Sequence, residues 1–250
     1  MHPTAINQYT ARHATDDPAL LDFDFLQTPH GQREAVPVTV KAARDSYATS
    51  PTLPVINGEA AYEMLSDSLP TAWTRAMFWL CVTNGTCGHT YGANGIWQCN
   101  RKGEPHGPSP HHQGGTGYGT IAWDDAMRLP GSEQMGFGRK FFESLPWTEL
   151  IPLPQSVAWA EPPSPDAKED PLFAPQACGI ADRLRVVYVI AARPIVARNL
   201  RAATQYRTTY FDPVKGERIV RDPVTADAKG EVRLEPLKPE QDWVALLQTE

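Results

Sequence analysis

Between Leu21 and Leu145 the chain alternates short β-favouring runs with apolar stripes at helical spacing, joined by short connections. Parallel strands need a crossover to bring the chain back to the same end of a sheet, and a helix is the usual crossover. The order strand, helix, strand, helix, strand therefore points to βα units around a parallel sheet. The first strand is expected in Leu20-Leu21-Asp22-Phe23-Asp24-Phe25-Leu26-Gln27, where Phe23, Phe25 and Gln27 alternate with Asp22 and Asp24. It ends in Thr28-Pro29-His30-Gly31, which has turn chemistry and presents Gln27 and His30 at the strand's C-terminal end. Val36, Val40, Ala43 and Tyr47 predict a helix over 36–50, with Pro37 tolerated in its first turn. The strand Val55-Ile56-Asn57 follows. Trp73, Met77, Leu80 and Cys81 then share one stripe of a helix over 70–83, opened by Pro70.

Past Asn84-Gly85 comes Gly88-His89-Thr90-Tyr91-Gly92-Ala93-Asn94-Gly95-Ile96-Trp97-Gln98, too polar for a core strand and too aromatic for a plain loop. Residues 99–120 are rich in Gly and Pro and hold His106, His111 and His112. A loop of this length inside a domain is usually functional or disordered. Two more helices are expected, one around Trp123, Ala126 and Met127 and one over Glu133 to Leu145. Residues 155–175, with Pro162-Pro163-Ser164-Pro165, have the composition of a linker. Beyond it the pattern is strands alone: 184–190, 195–197, 206–211, 217–220, 231–234 and 243–247, with Asp212-Pro213-Val214-Lys215-Gly216 as a hairpin turn. The expected class is α/β followed by all-β. The expected boundaries are 1–154, a linker over 155–175, and a small antiparallel β-sandwich over 176–250.

Composition narrows the partners. The formal charge of −6 comes without any Lys/Arg run suited to nucleic acid or an anionic membrane. No apolar stretch approaches the roughly 20 residues that span a bilayer. Met1-His2-Pro3-Thr4 begins neither a basic nor an apolar leader, which suits a cytoplasmic chain if Met1 is its start. Cys81, Cys87, Cys99 and Cys178 have no CxxC spacing and are expected as buried or free thiols, not as a metal site or disulfide framework. The three histidines of the Gly-rich loop match no ligand spacing, so no metal is expected there.

Chemistry concentrates at two strand ends. Pro54-Val55-Ile56-Asn57-Gly58-Glu59 runs an apolar strand straight into a carboxylate, the way a buried strand delivers a polar group to the mouth of a sheet or barrel. Taken alone, Glu59 is equally a solvated turn carboxylate. Glu63, four residues on, is either a site residue or one half of a structural ion pair. Gln27, His30 and Asn57 are candidates to bond a ligand or to orient Glu59. His89, Tyr91, Asn94 and Trp97, with Gln98, offer an aromatic wall and amide donors; Tyr91 and Trp97 equally suit a structural plug.

The ordered set of motifs resembles the apiosidase-like glycoside hydrolases. It runs from His2-Pro3-Thr4 through Leu21–Gly31, Pro54–Glu63 and Gly88–Gln98, then Leu129-Pro130-Gly131-Ser132, Tyr210-Phe211-Asp212-Pro213 and Asp242-Trp243-Val244. One departure is Pro29, where the family is expected to carry Gly before the histidine. The resemblance implies the C-terminal half of a (β/α)8 TIM barrel, beginning near its fifth strand, followed by a β-sandwich of the type termed collagen-binding. That label carries no indication of collagen contact here. The sixth, seventh and eighth barrel strands would be 22–27, 55–57 and 88–91, and the earlier ones would be absent, which explains the shortage of strands.

Glycoside cleavage needs two carboxyl groups flanking the anomeric carbon. The resemblance implies Glu59 as nucleophile, oligo- or polysaccharide as substrate, and no cofactor. The partner acid would sit on a missing strand, so the chain is expected to be inactive alone. A non-catalytic carbohydrate-binding remnant and one half of a split enzyme, needing an N-terminal partner or self-association, are the alternatives.

Overall fold

The computed structural model describes residues 10–103, 118–161, 171–237 and 241–249. The alternation becomes β1 (Asp24–Gln27), α1 (Ala35–Ala48), β2 (Val55–Glu59), α2 (Thr71–Thr83) and β3 (Gly88–His89). The three strands form one parallel sheet in the order β1-β2-β3. Register assigns the faces. Phe25, Ile56 and Gly88 lie side by side on one, while Leu26, Asn57 and His89 share the other. Leu26 and Val55 pack with Ala43 of α1, so the second face is the one the helices cover.

α2 is bounded by Pro70, which has no amide hydrogen to waste at the first turn, and by Asn84, whose side chain donates to the Leu80 carbonyl at 2.7 Å. Gly85 follows at φ +105°, and a Cβ there would strike the Tyr47 ring, so no other residue fits this exit comfortably. α3 (Trp123–Ala126) is one turn long, and α4 (Gly131–Glu143) lies against α2.

The remaining strands are β4 (Ile151–Pro152), β5 (Val157–Trp159), β6 (Gln176–Ile180), β7 (Leu184–Val189), β8 (Ile195–Ala197), β9 (Gln205–Asp212), β10 (Glu217–Thr225), β11 (Val232–Leu234) and β12 (Trp243–Gln248). They form a six-stranded antiparallel sheet, β10-β9-β12-β7-β6-β4, and a three-stranded antiparallel one, β11-β8-β5. β4, β5 and β6 are not anticipated from sequence. β5 falls within the stretch expected to be a linker, yet it pairs with β8. The proline-rich 162–170 part of that stretch lies outside the described residues, as do His2, Pro3, Thr4, His106, His111 and His112.

The six-stranded sheet is covered on both faces, which is why β7 reads Leu-Arg-Val-Val-Tyr-Val without alternation and is buried throughout. Val187, Val189, Trp243 and Ala245 face Ile195, Val232 and Leu234 of the smaller sheet. Val186, Tyr188, Phe211 and Val244 join one continuous core with Val36, Met77, Trp79 and Phe141 of the helices. Trp79 is its centre. Its indole stacks on Tyr188 at 5.8 Å and 10°, and contacts Phe141, Phe142 and Phe211 at 5.3–5.8 Å. Beside it a buried fork from Arg75 of α2 grips Asp242 at 2.6 and 3.0 Å. Gln134 of α4 accepts from the same guanidinium, and the Tyr188 hydroxyl donates to Asp242. Helices and antiparallel sheet thus share apolar and ionic contacts.

Candidate active site

β2 carries Asn57-Gly58-Glu59 as its last three residues, inside the strand and not in a turn. Gly58 is required by close approach, because the Phe25 ring occupies the space a Cβ would need. Opposite, the β1–β2 ladder slips by one residue between Leu26 and Gln27, so Gln27 comes level with Glu59. Such irregularities re-aim a side chain at a strand end. Asn57 locks the slip. It is fully buried, accepts from Thr28 Oγ1 at 3.0 Å and donates to the carbonyls of Leu26 and Glu59 at 3.2 and 3.0 Å. Its role is to hold the backbone that bears Glu59. It does not reach solvent.

The Glu59 side chain is 18% exposed, with His30 Nε2 3.3 Å from its Oε1. The approach is close but not aligned as a hydrogen bond. Tyr62 hydrogen-bonds to Glu59, and burial together with that carboxylate raises the phenol above its ordinary range. The Tyr62 ring meets His30 at 4.8 Å and stacks on Trp97 at 6.4 Å and 28°, and Trp97 meets Tyr118 edge-on at 5.3 Å. Trp97 is itself 39% exposed. The result is a mostly buried carboxylate set beside a run of aromatic rings.

Gln27 is thus level with Glu59 and His30 beside it, while Trp97 packs on the Tyr62 ring. Three other candidates do not join them in that role. Glu63 is 1% exposed. Its Oε2 accepts from Tyr91 Oη at 2.6 Å and from the Gly131 amide at 3.0 Å, and Thr71 Oγ1 donates to Oε1. It clasps the first turns of α2 and α4, where a negative charge meets unpaired helix amides. Tyr91 is committed to that clasp, its hydroxyl pKa pushed up by burial and by Glu63. Asn94 is fully buried, and its amide donates to the Tyr118 carbonyl, so it fixes the wall from behind.

His89, expected in the wall, instead follows its register partner Asn57 to the helix side. Its ring lies edge-on to Phe78 at 5.7 Å, and burial lowers its pKa to about 4. Asp24 is also structural: fully buried, it is held by Thr10 at 2.5 Å, by Ser46, and by Arg12 at 3.2 Å. Tyr62 and Tyr118 are the residues sequence reasoning missed. The one signal for Tyr62 is its spacing of three from Glu59; Tyr118 sits at the edge of the Gly-rich loop and gives none.

Among the described residues no group of three or more His, Cys, Asp or Glu side chains is placed to hold a metal ion, and no helix is long and apolar enough to cross a membrane.

Residues 1–149 match the profile of the apiosidase-like catalytic domain. The chain belongs to the apiosidase-like family. Two solved structures share its fold at 20% identity. One is a glycoside hydrolase, with a TM-score of 0.77 and 96% of this chain covered. The other is a glycoside hydrolase family 5 protein from Bacteroides vulgatus ATCC 8482, with a TM-score of 0.73 and again 96% covered. This apiosidase-like chain spans about half the length of each, 55% and 54% respectively. No curated protein sequence matches it.

Proposed function

We propose that this chain is the nucleophile-bearing part of an apiosidase-like glycoside hydrolase acting on oligo- or polysaccharide. In this reading β1, β2 and β3 are the last three strands of a (β/α)8 barrel, and the two antiparallel sheets over 176–250, together with β4 and β5, form a β-sandwich behind it. Active sites of such barrels lie at the C-terminal ends of the strands, where Gln27, His30 and Glu59 sit. The observation that carries the proposal is Glu59 at the end of β2, 18% exposed, hydrogen-bonded to Tyr62, with His30 beside it and Trp97 stacked on the Tyr62 ring. A carboxylate so placed can reach an anomeric carbon, and stacked rings suit the apolar face of a sugar.

Tyr62 would hold Glu59 in place through its hydrogen bond to the carboxylate. His30 and Gln27 border the same space and would bond ring hydroxyls. The second carboxyl group would come from a strand this chain does not carry. The chain alone should therefore hydrolyse aryl glycosides negligibly, and adding the remaining barrel units should restore the reaction. In that assembly Glu59→Gln should lower the rate at least about a thousandfold, as loss of a nucleophile does elsewhere. Restored activity that survives Glu59→Gln would sink the assignment. A non-catalytic carbohydrate-binding remnant is the second reading, favoured by the Tyr62–Trp97–Tyr118 wall, and it predicts sugar binding with no restored hydrolysis.

A further inference from the structure

The turn that follows Glu59 and Tyr62 has a backbone that the site just described does not explain. Met64, Ser66 and Asp67 all sit in the left-handed region, at φ 59°, 54° and 54°. Residues other than glycine rarely adopt it, and methionine has none of the local bonding that eases Asp or Asn into it. Such residues persist where their surroundings hold them, and they gather at functional sites. Here the turn carries the Asp67 side chain across to Thr120 and Ile121.

Asp67 is exposed, yet its carboxylate is crowded with donors. It accepts from the Thr120 amide at 2.7 and 2.8 Å, from Thr120 Oγ1 at 3.0 Å and from the Ile121 amide at 3.0 Å. Gly119, at φ +94°, passes so close that a Cβ there would come within 2.5 Å of Asp67 Oδ1. The Tyr118 carbonyl accepts from the Ser66 amide at 3.0 Å and from the Asn94 side chain. Asn100, 1% exposed, donates to the Ile121 carbonyl at 3.1 Å. Tyr118, Thr120 and Ile121 are thus all held, the last two by one carboxylate.

The consequence lies in the rings. Tyr118 meets Trp97 edge-on, Trp97 stacks on Tyr62, and Tyr62 bonds Glu59. Neither Trp97 nor Tyr118 lies in a helix or strand, so regular structure does not set their spacing. The latch sits at the surface, at exposed Asp67 and Thr120, and what it fixes is where the Tyr118 ring stands. Resting on the carbohydrate reading above, we infer that Asp67 is a positioning residue of the site. It holds Tyr118 against Trp97 and so fixes the end of the wall that receives a sugar ring. It acts through the two rings, not on the ligand itself.

The test uses the 250-residue chain with fluorotryptophan at its seven tryptophans, the Trp97 line of the fluorine spectrum being assigned by Trp97→Phe. Asp67→Asn keeps a residue that enters the left-handed region readily, but turns one acceptor oxygen into a donor facing the Thr120 and Ile121 amides. It should move the Trp97 line in the direction set by Tyr118→Ala. Thr120→Val, which removes one donor, should move it the same way by less. The lines of Trp79 and Trp243, both fully buried, should stay in place and report an intact fold; where Asp67→Asn disturbs them, Thr120→Val decides. If Asp67 serves the turn alone, the variant melts earlier while the Trp97 line stays put, and the inference is overturned. Neutral oligosaccharides of xylose, glucose, mannose and arabinose units are then titrated into parent and variant. The parent's Trp97 line should respond, and Asp67→Asn should weaken the affinity about fivefold or more, the scale of one aromatic contact. Equal affinity in a variant whose Trp97 line has moved also overturns the inference. A parent whose Trp97 line ignores the sugars overturns the carbohydrate reading alone, because the sugar-free spectra judge the latch by themselves.

Discussion

Glu59 and Glu63 are four residues apart in sequence, and the chain surrounds them in opposite ways. Glu63 is closed off and saturated by a phenol, a hydroxyl and a helix amide. Glu59 keeps Tyr62 as a bonded neighbour, has His30 close but off-axis, and retains contact with solvent. A carboxylate whose lone pairs are all engaged by the fold stabilises the fold. One that keeps 18% of its side chain exposed at a strand end can also meet a ligand.

The largest expected effect comes from breaking the saturated side. Arg75→Ala leaves Asp242 buried without its cation and should cost about 3–5 kcal/mol in denaturant unfolding. A loss below about 1 kcal/mol would mean that helices and antiparallel sheet are not joined there as described. Glu63→Ala strands three donors and should cost about 3 kcal/mol or more, with both α2 and α4 losing amide protection in hydrogen exchange.

His89 gives a pH test of similar size. Burial lowers the His89 pKa from 6.5 to about 4, so the unfolded chain takes up the proton first as pH falls. Stability should be flat above about 6.5 and decline through that interval, by roughly 3 kcal/mol if His89 alone is responsible. His89→Phe should flatten the decline; a decline of the same size without the histidine would remove it as the cause. Smaller again is Tyr62→Phe, which removes one hydrogen bond to Glu59 and should cost about 1 kcal/mol. If Tyr62 positions Glu59, hydrolysis by the assembled enzyme should fall by far more than that loss of stability explains.

Much of this was legible in sequence where residue patterns carry a period. α1 and α2 end within about two residues of their expected limits, and β7, β9 and β12 stand where apolar runs placed them. β4 and β5 are two and three residues long, too short for any period. β6 reads Gln-Ala-Cys-Gly-Ile, which has little β-propensity and is ordered by neighbours on both sides. The carboxylate at the end of β2 was visible because an apolar run delivers it. The face of His89 was not, because a two-residue strand gives no alternation and only pairing with Asn57 assigns it. Glu63 and Tyr91 looked like site residues since sequence shows polar groups but not which donors reach them.

The central claim is that the open carboxylate performs chemistry and the closed one performs architecture. The most direct test is the rate of aryl glycoside hydrolysis by the assembled barrel carrying Glu59→Gln, measured beside its unfolding midpoint. Hydrolysis should fall at least about a thousandfold while stability stays within about 0.5 kcal/mol of the parent. Hydrolysis that persists in the folded variant would contradict the claim.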